Sequence, residues 1–504
     1  MKKIIIPILF FCAALSANAQ EYMHIKSHWH EGYIPVEEID SISYGEMSHE
    51  QMLPAIMAKD PNISIFNKAL EITHMGDSLL EMYDYSYQFE KNSIHQGVQN
   101  IKFYAIPEIK KGYTAFVETD EVYAARGINN IDDLKAYAAR VYNEMYPEDA
   151  SITDPTDRRN SLNRFVSYHL LEVKANKNNL TVANILGTNG RPIKEQYIPG
   201  YNISDWYETM MPHSLMKCTT PYNQNTVFIN RCGEGDPLRG EGTIEGAEIL
   251  NESGVAINGY YHYISDIIAY DKQTQQVVLN EQIIVNNSTM SPEFFNNNLR
   301  ISSPYPLPEN AYQNGAYFPT GALKNIKANT SDTQIHYLFN TGWWDYQTDE
   351  MLLSGNFDIT IKLPSVPAGT YELNLGFHTS SYAPILATYL DGEFCDTLDA
   401  REERVGNIIG WESDDYLKTP EAIAQNDSLL FSKGYRKGLE YHKAGLNNYS
   451  MRDHYSCLRG IITTFTTDGK SDHYLRIHTL SEPLRELVFD YIELTPTHLF
   501  KEYK

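Results

Sequence analysis

Basic residues are scarce in this chain of 504 residues. Lysine and arginine total 41 against 65 aspartates and glutamates, a formal charge of -24. A polyanion partner needs a basic face, so the shortage argues against nucleic acid. Cysteine is scarcer, with five in all. No two stand in C-x-x-C spacing, which removes the usual thiol-redox and zinc signatures. The chain also lacks a G-x-x-x-x-G-K-S/T loop, a G-x-S-x-G elbow and an H-E-x-x-H helix. After the first twenty residues no apolar run approaches membrane-spanning length. What is present is a globular composition, 42% hydrophobic and 21% charged, long enough for two or three domains.

The first residues, "MKKIIIPILFFCAALSANAQ", have the secretory pattern: Lys2 and Lys3, an apolar run from Ile4 to Leu15, and the small-residue site Ala17-Asn18-Ala19. Residues 1–19 are therefore expected to be a signal peptide, with Gln20 the first mature residue and the protein exported, periplasmic or at the cell surface. Bulky Phe11 before Cys12 argues against a lipid-attachment site. Export permits disulfides among the other cysteines, Cys218, Cys232, Cys395 and Cys457. Cys218 and Cys232 flank "TTPYNQNTVFINR" and are placed to pair across a hairpin; free buried thiols are the alternative.

Residues 20–48 read as one or two strands, with His24, His28 and His30 on one strand face. No further ligand is visible, so a solvated face is expected and no metal or cofactor. Residues 50–180 carry apolar positions at helical spacing. Asn130 is placed as an N-cap before "IDDLKAYAARVYNEMY", Thr119 as a cap after the strand "YTAFV", and Gly127 as a stop. From residue 205 the pattern turns to strands, with Asn258-Gly259 a hairpin signal. "FDITIKLPSVPAGTYELNLGF" and "ILATYLDGEF" alternate in and out, the latter turning at Asp391-Gly392. The stretch rich in Asn, Ser and Pro over 287–306 reads as a linker, and 307–504 as a β-sandwich.

Three blocks carry a resemblance to the fasciclin domain: "YTAFVETDEVY" (113–123), "RNSLNRFVSYHLLE" (159–172) with Tyr168 and His169, and "VAINGYYHYISDII" (255–268) with Asn258, Gly259 and His262. Their order matches the family's. The excess length falls between the second and third blocks, around "GTNGRPIKEQYIPGYN" and "RCGEGDPLRGEG", which read as loop insertions. "VEEIDSISY" resembles a leader segment of secreted Bacteroidetes proteins. "LPSVPAGTYELNLGF", "YLDGEF" and "LVFDYIELTP" resemble galactose-binding-like jelly rolls, which serve as carbohydrate-binding modules. The resemblance implies an α+β fasciclin-like domain over 49–286 followed by an all-β jelly-roll sandwich.

Animal fasciclin domains use the Tyr-His region in adhesion. His169, however, falls on the apolar stripe of its helix, so a buried, hydrogen-bonded structural role is expected. Trp343 and Trp344 in "NTGWWDYQTDE" are the candidates for sugar stacking, with Asp345, Tyr346 and Asp349 placed to accept sugar hydroxyls. The glycine-rich "GEGDPLRGEG" carries acids that repel phosphate and reads as a flexible loop, with calcium binding second. These features point to a non-enzymatic adhesion or binding protein whose partner is a glycan or a cell-surface protein. The rivals are a glycan hydrolase, which requires paired carboxylates in a cleft, and a purely structural surface protein.

Overall fold

Helices begin where capping side chains stand. In the computed structural model, Thr119 accepts from Val122 N ahead of Asp120–Ala125, and Asn130 accepts from Asp132 N and Asp133 N ahead of Ile131–Met145. Gly127, at φ +80°, stops the first of these two helices. The structure describes residues 22–26, 31–35, 48–87, 94–96, 102–186, 191–300, 315–339, 344–445, 449–481 and 485–501. The proposed signal segment lies outside them, as do Trp343, His28 and His30.

Tyr22–Lys26 and Glu31–Pro35 pair antiparallel in a small unit of their own. The rest of the chain, from Ser48 apart from residues 304–306, forms one compact unit dominated by three sheets. A seven-stranded sheet runs in the order Leu170–Leu171, Tyr113–Val117, Gly259–Ile264, Ala247–Ala256, Phe228–Ile229, Leu215–Thr220 and Ile203–Glu208. Helices Leu53–Met57, Ser64–Ile72, Ile131–Met145 and Ser161–Tyr168 contribute Leu53, Phe66, Leu134 and Phe165 to the core shared with this sheet. The segment "RNSLNRFVSYHLLE" is helical over Ser161–Tyr168. It leaves the helix at Tyr168 because Leu170 and Leu171 pair with Ala115 and Thr114 at the sheet edge.

Asn258 shows how the third block holds this half together. The two-residue turn is Ile257-Asn258, since Ala256 pairs with Gly259. Its Oδ1 accepts from Leu53 N at 2.9 Å, capping the start of Leu53–Met57 from a distant part of the chain, and its Nδ2 donates to Leu79 O at 2.7 Å. Gly259 opens the next strand, where a Cβ would lie 2.5 Å from Tyr113 O. The neighbouring strand requires this glycine, not the turn.

The second half is a sandwich. Its larger sheet includes Tyr435–Lys437, Cys457–Thr467, Gly369–His378, Glu486–Pro496, Asp349–Ser354, Gln334–Phe339 and Gly315–Phe318. The smaller runs Ile326–Ala328, Asp358–Lys362, Tyr474–Thr479, Ile385–Leu390 and Glu393–Asp399. Leu398 of the smaller sheet lies over Gly460 of the larger, where a Cβ would come within 2.6 Å of the leucine methyl. Asp391 and Gly392 both have positive φ, as a tight two-residue hairpin turn demands. The turn at Pro367-Ala368 joins no hairpin: the chain crosses there from the smaller sheet to the larger, so both flanking strands alternate but pair elsewhere.

The expected linker is corrected by the structure. Asn287–Met290 and Pro292–Asn296 are short helices with Phe294 and Phe295 buried. Nor does the larger sheet respect the expected boundary. Ile283–Asn286 pairs with Leu494–Tyr491, and Lys102–Ala105 adds beside Gly315–Phe318. Buried polar contacts cross the same seam: Arg300 bonds Asp205 at 2.5 Å and Tyr207 Oη at 2.8 Å, while Gln347 Nε2 donates to Asp205 at 3.2 Å. Cys218 and Cys232 form no disulfide; all four described cysteines are free, and these two are buried. No helix among the described residues is long and apolar enough to cross a membrane.

Candidate functional site

The family-motif residues of the first half lie in its interior. His169 is wholly buried, with Nδ1 2.7 Å from Phe165 O and Nε2 2.9 Å from Glu118 Oε1. Glu118 also accepts from Tyr123 Oη and from Ile268 N. Tyr168 is buried and its hydroxyl accepts from Asn230 Nδ2 at 2.9 Å. His262 stands 2.9 Å from Ala175 O, and burial pulls its pKa down to about 4. None of the three presents a polar atom to a ligand.

One trio among the described residues has metal-ligand spacing: Cys232, Asp236 and Glu281. Lys217 Nζ pairs with Glu281 and lies 3.2 Å from Asp236, so an ammonium already supplies the positive charge. Asp236 also accepts from Gly233 N and Asn202 Nδ2, which fixes the loop read as flexible.

Asp345 and Tyr346, expected beside the tryptophans as sugar contacts, are both buried. Tyr346 N donates to the Asp490 carboxylate, and the Tyr346 ring packs edge-on against Tyr491. Asp349 is buried too, accepting from Tyr337 Oη and Asn286 Nδ2. Burial pushes its pKa up to about 7, and pushes Glu350 and Asp490 well above the usual carboxylate range. These carboxylates are buried and line neither of the two hollows below.

Among the described residues of the predicted group, Trp344 alone reaches an accessible surface. It is half-buried, its ring stacked on His454 at 4.1 Å and near-parallel to His378 at 5.7 Å. The stack continues outward. Tyr455 lies 5.1 Å from His454 and Tyr449 6.1 Å from it, at 18° and 5°. Both tyrosines are exposed. His378 and His454 are held at a pKa of about 4, chiefly by desolvation, so the stack is uncharged near neutrality.

Beside this stack Tyr455 meets Trp411 edge-on at 6.2 Å. The two rings border a hollow of about 480 Å³ with Glu402, Glu403, Asn407 and Ser381. Tyr455 Oη donates to Glu402 at 3.0 Å, which fixes the ring. The loops that carry the rings are braced by charge. Arg452 bridges Asp414 and Asp427, Lys437 also pairs with Asp414, and Asp453 accepts from Asp414 N. The site stands where His378, ending one strand, pairs with Cys457, starting the next. Trp411, Tyr449, His454 and Tyr455 were missed in the sequence. Their only signal was aromatic density in "GWESDD" and "NNYSMRDHYS", which resembles any loop with a buried face.

No family model matches the chain, and no curated protein does. Among solved structures, a Paenibacillus xanthan lyase is similar at TM-score 0.22 and 10% identity, over 56% of this chain and 25% of that one. A family GH115 4-O-methyl-α-glucuronidase with specificity for decorated arabinogalactans follows at 0.18 and 13%, over 41% and 21%. The insecticidal crystal protein Cry2Aa reaches 0.21 and 10%, over 76% and 70%. The chain thus spans about a quarter or less of the first two, and similarity at this level carries no argument about function.

Proposed function

We propose that this is an exported, non-enzymatic binding protein that holds a glycan in the Trp411–Tyr455 hollow, on a fold combining a fasciclin-like half with a jelly-roll sandwich. The observation that carries the reading is one open hollow in which the exposed ring of Tyr455, tied to Glu402, stands beside half-buried Trp411 and the oxygen atoms of Glu402, Glu403 and Asn407. Sugars present apolar ring faces, which stack on aromatic side chains, and hydroxyls, which need placed acceptors. Tyr455, held by Glu402, supplies the first, and the Glu402 and Glu403 carboxylates and the Asn407 amide supply the second. The fasciclin-like reading of the first half draws on its three blocks meeting in one core. Tyr113–Val117 runs parallel to Gly259–Ile264, and Phe116, Phe165 and Tyr261 belong to one buried cluster.

A glycan array probed with the full chain, followed by titration of hits against Trp411→Ala and Tyr455→Ala, tests the proposal. The expected result is binding of neutral glycans that falls at least tenfold in each folded variant, with the melting temperature kept in Tyr455→Ala. A folded chain that binds no glycan across a broad panel favours a protein partner instead. Release of sugar from any bound glycan overturns the non-enzymatic reading.

A further inference from the structure

The described part of the insertion, "RPIKEQYIPGYN", lines a second hollow. Residues 191–201 lie against 441–445 of the sandwich half, joined by Ile198 N to Tyr441 O at 2.9 Å and Lys443 N to Gln196 O at 2.6 Å. Between this seam and the end of the strand Leu215–Thr220 opens a hollow of about 480 Å³. Arg191, Lys194 and Lys443 line it, with Tyr201, Tyr222 and Pro199 as its apolar faces.

The charge here runs against the chain. In a protein of net charge -24, three cations converge on one depression whose lining includes a single acid, Glu195. Arg191 faces that acid at 3.5 Å. The two lysines are anchored by neutral oxygens only: Lys194 Nζ donates to Asn225 Oδ1 at 3.2 Å, and Lys443 Nζ to the Glu195 carbonyl at 3.0 Å. Among the described residues neither ammonium has a carboxylate within ion-pair reach. By contrast, Lys437 pairs with Asp414 and Lys362 with Glu208. Tyr222 meanwhile keeps 52% of its surface exposed beside these charges.

We infer that this hollow is a binding site for an acidic carbohydrate, a uronic acid unit within a glycan. The carboxylate would pair with Lys194 and Lys443, and the pyranose face would lie on Tyr222. An ammonium held by a neutral oxygen keeps its charge available to an anion, and an exposed phenol ring supplies the stacking surface that a small inorganic anion would not need. The inference does not require the Trp411–Tyr455 hollow to bind anything. The acids there disfavour the same ligand, so the two hollows are predicted to separate by charge.

The test is titration of the full chain with an oligogalacturonate and with a neutral oligogalactoside of the same length, at low and at high salt. The expected result is binding of the acidic oligomer alone at this site, weakened by salt. It should weaken at least tenfold in the double variant Lys194→Ala, Lys443→Ala, at least threefold in Tyr222→Ala, and not at all in Trp411→Ala. These side chains lie on the surface, so unchanged melting curves certify the variants. No binding of the oligogalacturonate by the natural chain overturns the inference. So does full affinity in the double variant, and so does polyglutamate binding as tightly as the uronate, which would show that charge alone is read.

Discussion

Trp344 and His454 stack with their ring centroids 4.1 Å apart, and the histidine passes that contact on to Tyr455. Trp344 is therefore a support for the exposed rings. Its replacement by Ala is expected to cost about 2–3 kcal/mol of stability, less than a fully buried tryptophan because part of the ring is already in solvent. Tyr455→Ala should cost little stability and remove neutral glycan binding in the Trp411–Tyr455 hollow. Urea unfolding and glycan titration of both variants separate the roles, and a Trp344→Ala chain of unchanged stability would show that the stack bears no load.

The histidines of that stack make the same region sensitive to acid. His378 and His454 titrate at about 4, against an ordinary value near 6.5. The unfolded chain thus takes up protons that the folded chain refuses as pH falls from 6.5 to 4, and stability is lost across that window. Replacing His378 by Phe should flatten the decline measured by unfolding between pH 7 and pH 4. Parallel curves for the two proteins would refute the assignment.

Glu350 has the opposite sign. Its carboxyl is buried beside Asp345, Asp490 and Asp349, and its pKa is held well above the usual range by burial and then by those charges. A carboxyl whose pKa rises on folding contributes stability at low pH that is lost as pH climbs through the folded value. Glu350→Gln keeps the shape and removes the charge. The variant should match the natural chain near pH 5 and exceed it in urea midpoint at pH 8.5, and an equal difference at both pH values counts against the buried-acid account.

His169 tests the first half. With Nε2 on Glu118 and its ring 4.4 Å from Phe165, replacement by Ala leaves a buried carboxylate short of a partner and a gap beside Phe66. A loss of about 3 kcal/mol is expected, with binding in both hollows retained by the folded fraction. Loss of binding at unchanged melting temperature would place His169 at a ligand.

Local features of this fold were legible in the sequence because their causes are local. The caps at Thr119 and Asn130, the stop at Gly127 and the turn at Asp391-Gly392 each follow from one or two side chains. The buried role of His169 followed from the stripe on its helix. What could not be read was pairing at long range. Nothing in "QIIVNN" announces that Ile283–Asn286 joins the sandwich half, because its four buried residues would suit any covered sheet. The polar residues beside Trp344 were misplaced for a related reason. Asp345 and Tyr346 are polar by type but buried, and the chain just after them passes through positive φ at Gln347 and Thr348, a path no spacing rule anticipates.

That long-range pairing sets the last prediction, which concerns the sandwich half in isolation. A fragment of residues 307–504 keeps the strands with alternating apolar faces and so reads as self-sufficient. It lacks Ile283–Asn286, however, which covers Tyr491–Leu494 of the last long strand. It also lacks Gln282, whose amide donates to buried Glu493 at 2.8 Å, and Phe294, stacked on Tyr337 at 4.8 Å. Removing them exposes backbone donors and acceptors along a strand buried throughout and opens the core beneath it. The fragment is expected to unfold without a cooperative transition, whereas one beginning at residue 280 should regain part of the transition and the full chain all of it. Calorimetry on the three decides the matter: a sharp, reversible transition in the 307–504 fragment at the temperature of the full chain would mean that the seam contributes nothing to the sandwich.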